Sequence, residues 1–198
     1  MLYSVLEMAI IASGYHVVLR DRLLSDADRF IYWQTHGEWR LLDAPWEGAQ
    51  TSLTGEQEAN LRAQFYKSCS EELPSPRKRI FIARKDNCPV GWVSRYGEDR
   101  TPDAWMVGID ICEDDLLNKG LGTEALGLWV DYLFANSTVH RIGLDTWSFN
   151  PRMCHVAEKL GFIPEGSQRE ARQWNGQWLD LVHFGMLRTE WQQKRVYR

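Results

Sequence analysis

The fold of this chain is decided by the stretch GIDICEDDLLNKGLGTEALGLWVDYLF, Gly108–Phe134. It predicts a strand over Ala104–Cys112, a glycine-containing loop over Leu117–Thr123 and a helix that ends near Asn136. Glycines let a ligand approach the backbone closely, and the unpaired N–H groups at a helix start favour negative charge. This order of strand, loop and helix therefore indicates an anion-binding site.

The helix after this loop has apolar residues at the spacing of one buried face. They are Leu126, Trp129, Val130, Leu133 and Phe134. Further strands are predicted at Tyr15–Leu23, Arg79–Arg84, Val90–Tyr96 and Arg141–Trp147, and on both sides of Asn175-Gly176, a dipeptide typical of type I′ hairpins. Helices are predicted from Ser25, from Thr54 to about Leu73 and over Pro151–Leu160, with an irregular loop over Thr35–Ser52. The order predicts a mixed α/β (α+β) fold, with a mostly antiparallel central sheet and one parallel strand pair around the helix at Thr123.

Composition narrows the classes of function. With 23 Lys and Arg against 27 Asp and Glu, the net charge of −4 leaves no basic excess for nucleic-acid phosphates. The four cysteines form no Cys-x-x-Cys pair, so no metal site is indicated, and their scatter favours a reducing, cytoplasmic location. The apolar start MLYSVLEMAIIA is shorter than the roughly 20 residues that span a bilayer, so no membrane partner is expected.

The length of 198 residues favours one domain. We place it at residues 15–191, after an N-terminal extension over 1–14 and before a tail over 192–198. The apolar extension suggests a contact in a homodimer.

The anion bound by the loop is not specified by the glycines alone. A Walker loop, Gly-x-x-x-x-Gly-Lys-Ser/Thr, is absent from it. A dinucleotide fingerprint is formally present as Gly120-x-Gly122-x-x-Ala125, with Asp145 about 20 residues further on. That fold needs several strand–helix units after the motif, whereas only 73 residues follow Ala125 and they end in a predicted hairpin. The dinucleotide interpretation is therefore disfavoured.

The opening stretch, followed by NPRMCHVAEKLGF at Asn150–Phe162, resembles the GCN5-related N-acetyltransferase superfamily. The tail REARQWNGQWLDLVHFGMLRTEW, Arg169–Trp191, makes it most similar to the ribosomal-protein N-terminal acetyltransferase-like branch. The resemblance covers about Ala104–Trp191. It implies helices flanking a sheet whose parallel strands splay apart, acetyl-CoA as co-substrate, and transfer of the acetyl group to a primary amine without a metal.

The resemblance also implies which residues hold acetyl-CoA. The pyrophosphate would bind the loop residues Leu117, Asn118, Lys119, Gly120, Leu121, Gly122 and Thr123 through backbone N–H groups. The pantetheine arm would pair with the strand that contains Ile109, Ile111 and Cys112, where a backbone N–H would polarise the thioester carbonyl. Asn150 matches an asparagine that contacts the cofactor in the family.

Two positions depart from the family pattern. Leu117 stands where the loop usually opens with Gln or Arg, and Ala157 stands where a tyrosine commonly protonates the leaving thiolate. A non-catalytic acyl-CoA-binding module therefore stays open as an alternative to the enzyme.

Attack of an amine on a thioester needs a proton acceptor. Asp145 is the first candidate, because it lies five residues before Asn150 on the strand beside the splay, and some antibiotic-modifying members carry an aspartate at this spacing. Asp110 is the second, because strand alternation places it opposite Ile109 and Ile111 and towards a cleft. His183 is expected to be a packed strand residue.

The acceptor is left open between a protein N-terminus, an aminoglycoside-type antibiotic, a polyamine and another small amine. The resemblance implies acceptor contacts from the first helix and loop, at Trp33 and Trp39, and from the segment after the last predicted helix, at Arg169 and Arg172. Glu113, Asp114 and Asp115 would repel a pyrophosphate and are expected to point to solvent.

Overall fold

A computed structural model describes residues 9–47, 51–97 and 101–196. Over these ranges the chain forms one eight-stranded sheet in the order β1-β2-β3-β4-β5-β6-β8-β7. The strands are β1 Ile10–Ser13, β2 Val17–Arg20, β3 Arg79–Arg84, β4 Pro89–Tyr96, β5 Ala104–Ile111, β6 Arg141–Trp147, β7 Ile163–Trp174 and β8 Gln177–Leu187. Every neighbouring pair is antiparallel except β5 with β6, which is parallel.

Helices flank this sheet and supply the crossover that its parallel pair requires. They are α1 Ala27–Trp33, α2 Trp39–Leu42, α3 Gly55–Ser70, α4 Leu121–Ala135, α5 Pro151–Leu160 and α6 Arg188–Val196. Helix α4 connects β5 to β6, as the sequence predicts. The mixed, mostly antiparallel fold with one parallel pair is thereby confirmed.

The main core lies between the sheet and helices α4 and α5. The predicted apolar face of α4 is confirmed, since each of its five residues is at most 6 % exposed. Burying one such aliphatic or phenylalanine side chain contributes roughly 1.5–3 kcal/mol. The indole N–H of Trp129 donates to the Ser94 carbonyl at 3.1 Å, so the large ring is buried without an orphaned donor.

A second, smaller core lies where α1 and α3 pack on the sheet. Its members are Ala27, Trp33, Phe65, Phe81, Trp92 and Cys112. On β5, by contrast, Ile109 and Ile111 pack against the main core. The alternation predicted for this strand is therefore confirmed, and it directs Asp110 to the side of the sheet that carries the second core.

Local capping signals are used as the sequence predicts. Thr54 and Gln57 form a capping box at the start of α3, although that helix ends at Ser70 rather than near Leu73. Asn150 caps α5 by accepting a hydrogen bond from the Met153 N–H at 3.1 Å. Asn175 and Gly176 both have positive φ, at 48° and 78°, as a type I′ hairpin turn requires.

The N-terminal half differs from the prediction in two places. The strand predicted over Tyr15–Leu23 is only β2, and β1 pairs with it as an additional edge strand. The loop predicted as irregular contains α2, which tertiary contacts support: the Trp39 ring packs edge-on against Trp92 at 5.1 Å. The expected domain boundaries fall in the turn between β1 and β2 and inside α6.

The expectation that Glu113 points to solvent is wrong. Its side chain is buried and accepts hydrogen bonds from the Trp33 indole at 2.7 Å and from the Arg29 guanidinium. These contacts fix the chain between β5 and the loop at 117–123 against α1. Asp114 and Asp115 are exposed, as predicted.

Across the three described ranges, no helix combines the length and apolar character needed to cross a membrane.

Candidate active site

The parallel strands β5 and β6 pair over only three residues each. Residues 104–106 pair with 141–143, and beyond that point the ladder stops although both strands continue. The stretches of β5 and β6 that are not paired with each other are residues 108–111 and 144–147. Both line a cavity of about 1090 Å³. Their backbone groups on the facing edges are therefore available to a ligand that lies between the strands.

The glycine-containing loop at 117–123 lies on the same cavity. Leu117, Asn118 and residues 120–123 line it, whereas Lys119 is exposed and does not. Gly120 has a φ of +83°, and a Cβ built there would meet nothing within 4 Å, so a ligand can approach this backbone directly. The first N–H groups of α4, which starts at Leu121, have no partner inside the helix. The loop therefore presents open backbone N–H groups at the cavity, and the binding of an anion by them stays a prediction.

Glu124, the acidic residue in the first turn of α4, is hydrogen-bonded to residues at the start of β2. Its carboxylate accepts hydrogen bonds from the backbone N–H groups of His16 at 2.9 Å and Val17 at 3.3 Å. The Nδ1 atom of His16 is a further 2.9 Å partner. These contacts turn the negative charge of Glu124 towards β2, so it does not oppose an anion at the loop.

Asn150 lines the cavity at the start of α5. Its amide oxygen caps that helix, and its Nδ2 atom donates to the Leu42 carbonyl at 3.3 Å. Arg152 also lines the cavity and is paired with Glu38 at 3.1 and 3.3 Å. Asn150 thus lies on the cavity and joins α5 to α2, and its contact with a cofactor stays a prediction.

Asp110 lines the cavity from β5, opposite Trp92 of β4 in register. Burial raises the pKa of Asp110 to about 7, and the negative charge of Asp43 adds to this rise. The positive charge of Arg79 and the indole N–H of Trp92 act in the opposite direction. A carboxylate with a pKa near neutrality suits the role of proton acceptor at neutral pH.

Asp145 lines the cavity from β6. Its Oδ1 atom lies 2.8 Å from Nδ1 of His183, the residue directly opposite on β8. About a third of each side chain is exposed, at 31 % for Asp145 and 37 % for His183. His183 is therefore a partly buried strand residue, as expected, and it is also the hydrogen-bond partner of a candidate catalytic residue.

Five predicted site residues do not line this cavity: the exposed Lys119, and Cys112, Trp33, Arg169 and Arg172. Cys112 is 2 % exposed in the second core, where burial raises the pKa of its thiol. Trp33 is fully buried beside it, so its ring has no surface to offer an acceptor. Arg169 lies in a bulge of exposed strand β7, and Arg172 stacks 4.2 Å over the Trp46 ring. Trp39, by contrast, does line the cavity.

The structure adds residues that the sequence did not single out. Arg22, Asp43, Arg79 and Trp92 line the same cavity as Asp110. They come from four separate segments of the chain. Neither spacing nor local pattern could connect them, because strand pairing places Arg22 and Arg79 beside Trp92 and Asp110, and the packing of α2 on the sheet adds Asp43.

A sheet that splays at its parallel pair, with a glycine-containing loop and a helix start at the splay, is the architecture that the resemblance to the GCN5-related N-acetyltransferases implies. The sequence pattern of the acetyltransferase (GNAT) domain family matches residues 16–163. The chain belongs to this family of acetyltransferase enzymes.

Individual relatives agree with this assignment. One is YokL of Bacillus subtilis (strain 168), named as an SPbeta prophage-derived N-acetyltransferase, 26 % identical over 62 % of this chain and 68 % of its own length. Another is YdaF of the same organism, named as a candidate ribosomal N-acetyltransferase, 27 % identical over 54 % of this chain and 58 % of its own. The crystal structure of spermidine N-acetyltransferase from Vibrio cholerae with CoA and spermine has a TM-score of 0.68, with 19 % identity over 89 % of this chain and 98 % of that one. At that identity the structural likeness shows the fold.

Proposed function

We propose that this chain is an acetyl-CoA-dependent N-acetyltransferase that moves the acetyl group to a primary amine by direct attack on the thioester. The observation that carries the proposal is the meeting of three features on one cavity. These are the open strand edges at the splay, the loop at 117–123 and the carboxylate of Asp110.

The loop and the splay divide the binding of acetyl-CoA between them. Backbone N–H groups at residues 120–123 bind the pyrophosphate, because a helix start concentrates unpaired donors and partial positive charge. The exposed edge of β5 takes the pantetheine arm in the manner of an added strand. Asn150 and the neighbouring start of α5 lie on the same cavity and complete the contacts.

The chemistry needs a proton acceptor for the amine and a donor for the oxyanion. Asp110 is the acceptor, since its pKa of about 7 leaves a substantial fraction ionised at neutral pH. A backbone N–H between Ile109 and Ile111 is the donor. Position 157 supplies no proton to the leaving group, because the methyl side chain of Ala157 has no acidic proton and lies buried in the main core. A thiol with a pKa near 8.5 leaves as a thiolate without that proton.

The acceptor in this proposal is a protein N-terminus or a small amine. A ribosomal acceptor is the one that the name of YdaF gives for that relative. A polyamine is the acceptor of the V. cholerae structural neighbour. The carboxylates of Asp43, Asp110 and Asp145 on the cavity favour an acceptor with at least one positive charge.

The expected cytoplasmic location accompanies this proposal, and all four cysteines are free, as that compartment requires. The predicted homodimer contact of the N-terminal extension stays a prediction, since residues 1–8 lie outside the described ranges.

A thermal-melt comparison with acetyl-CoA, CoA and NADH tests the cofactor. A ligand at a hundredfold excess over its dissociation constant stabilises by about 2.7 kcal/mol. For a chain of this size that corresponds to a shift of roughly 5–10 °C. We expect the shift with both CoA forms, followed by amine-dependent release of CoA from acetyl-CoA. A shift with NADH alone would overturn the proposal.

A further inference from the structure

Two arginines lie on the cavity at its β3 end, which we define by Arg22, Arg79 and Trp92. Arg22 follows β2, and Arg79 is the first residue of β3. The proposed transfer of an acetyl group from acetyl-CoA gives neither of them a role. They share the cavity with Asp110, the proposed base, so a molecule bound there would lie beside the attacking amine.

Arg79 has its guanidinium 5.6 Å from the centre of the Trp92 ring. Within the described ranges it forms no ion pair with a carboxylate. Its charge nevertheless reaches both Asp110 and Arg22, because it lowers the pKa of each. Arg79 is therefore a cation held over an aromatic ring, close to the proposed base.

Arg22 is partly buried, and its guanidinium donates to the Ser68 hydroxyl at 2.6 Å. Burial lowers the pKa of Arg22, and the nearby charge of Arg79 lowers it further. The adjacent carboxylate of Asp21 is occupied by Arg77, with N–O distances of 2.9 and 3.0 Å. The side-chain hydrogen bond of Arg22 is thus made to a neutral hydroxyl, while the more distant carboxylates of Asp21 and Glu71 act on its charge and raise its pKa.

Two neighbouring guanidiniums in a partly buried cavity are unfavourable unless an anion joins them. The planar fork of each is suited to a carboxylate or phosphate. Lys78 adds a further positive charge to this end of the cavity, and Asp43 opposes it from α2's C-terminal side. An acceptor with several positive charges would meet repulsion here, whereas an anionic group would relieve it.

The distance to the base limits the size of the acceptor. Arg79 and Asp110 lie on strands two apart in the sheet, which is about 10 Å between strand axes. Both side chains meet at Trp92, which lies on the strand between them. One short molecule can therefore reach Asp110 with its amine and the arginines with its anion.

We infer that the amine acceptor of this enzyme carries a carboxylate or phosphate group, which Arg22 and Arg79 bind while the amine lies at Asp110. The inference rests on the proposed function. It replaces the general class of primary amines with amines that are also acids.

The test compares acceptor pairs that differ in the anionic group alone. The pairs are 4-aminobutyrate with 4-aminobutyramide, phosphoethanolamine with ethanolamine, and the C-terminally amidated peptide Asp-Ala-Ala with Asn-Ala-Ala amidated in the same way. They separate a small carboxylate, a phosphate and an acidic peptide as sources of the same chemistry. The measurements are kcat/KM from CoA release, and calorimetric binding to protein saturated with CoA, so that the loop at 117–123 is already filled.

We expect the anionic member of at least one pair to be preferred at least tenfold in kcat/KM or in affinity. Arg79→Gln, alone and with Arg22→Gln, should bring that preference close to one without changing the affinity for acetyl-CoA. Arg84→Gln, at the other end of β3 and paired with Asp86, is the matched control and should keep the preference.

The inference is overturned if neutral members match or exceed their anionic partners in every pair, or if the preference survives in the double variant. Failure of the proposed function is separate. It would appear as no binding of acetyl-CoA or no transfer to any amine, while anion binding and its loss on Arg79→Gln would still be measurable by calorimetry.

Discussion

Asp145 and His183 face each other across β6 and β8, with Oδ1 of Asp145 2.8 Å from Nδ1 of His183. Asp110, across the splay, is instead desolvated beside Trp92, and its pKa rises to about 7. The two candidate bases therefore differ in environment. The Asp145 carboxylate has a histidine partner, whereas burial brings the pKa of Asp110 close to neutral pH. This difference favours Asp110 over Asp145 in the proposed role of proton acceptor.

We predict that Asp110→Asn lowers kcat by about 10²–10⁴-fold, the usual contribution of a general base. The affinity for acetyl-CoA, measured by calorimetry, should stay unchanged, because the proposed contacts to the cofactor are made by the backbone. Asp145→Asn should lower kcat less than tenfold, again with intact affinity. A larger loss for Asp145→Asn than for Asp110→Asn would reverse the assignment of the base.

The pH dependence of kcat/KM should shift in opposite directions in two variants. The base must be deprotonated, so activity should rise with pH through about 7 in the unaltered enzyme. Asp43→Asn removes a negative charge that raises the pKa of Asp110, so the rise should move to lower pH. Arg79→Gln removes a positive charge that lowers this pKa, so the rise should move to higher pH.

Profiles between pH 5 and 8.5 would measure both shifts. Arg84→Gln lies away from Asp110 and serves as the control with no shift. Shifts of the same sign in the two cavity variants would contradict Asp110 as the titrating group.

Two substitutions of Gly120, by side chains of similar shape but different charge, test whether the loop binds the pyrophosphate. Asn and Asp tolerate the left-handed backbone about equally, so Gly120→Asn and Gly120→Asp carry similar strain at a φ of +83°. We predict at least tenfold weaker binding of acetyl-CoA for Gly120→Asp than for Gly120→Asn, because the carboxylate would face the pyrophosphate. Calorimetry with acetyl-CoA measures the ratio of the two affinities. Equal affinities would show that the pyrophosphate does not bind at this loop.

Glu113→Gln should destabilise the fold. Its buried carboxylate is hydrogen-bonded to Trp33 and Arg29, and hydrogen bonds to a charged group contribute about 1.5–3 kcal/mol each. We predict a loss of about 2–3 kcal/mol in the free energy of unfolding, measured by urea denaturation with an unchanged m-value. Asp28→Asn, in an exposed pair with Arg62, is the control and should leave the midpoint in place. Equal midpoints for the two variants would show that Glu113 is not a structural anchor.

Most of the fold was predictable because it follows local rules. The apolar spacing of α4 predicted a buried face, and Thr54, Asn150 and the Asn175-Gly176 turn act within three residues of themselves. The loop at 117–123 was identified for the same reason, since its glycines and the helix that follows are consecutive in the chain.

The predictions that failed depend on contacts between distant segments. Trp33 was expected at the acceptor, but its indole N–H donates to Glu113, 80 residues away, inside the second core. The Cys112 thiol lies in that same core and does not line the cavity, while the predicted backbone contact of this strand with the cofactor stays a prediction. Tertiary packing decides which face an aromatic or a cysteine presents, and its position in the sequence does not reveal this.

The sequence by itself determined most of the order of strands and helices, the glycine-containing loop at 117–123 and the family to which the chain belongs, because periodicity, caps and glycine motifs act over a few neighbouring residues. Only the tertiary structure decided where β5 and β6 separate, which carboxylate is desolvated, and that Arg79 lies near Asp110 although 31 residues separate them. The reason is physical: the pKa of a carboxylate and the partner of a guanidinium depend on burial and on charges across the sheet, which strand pairing alone brings together.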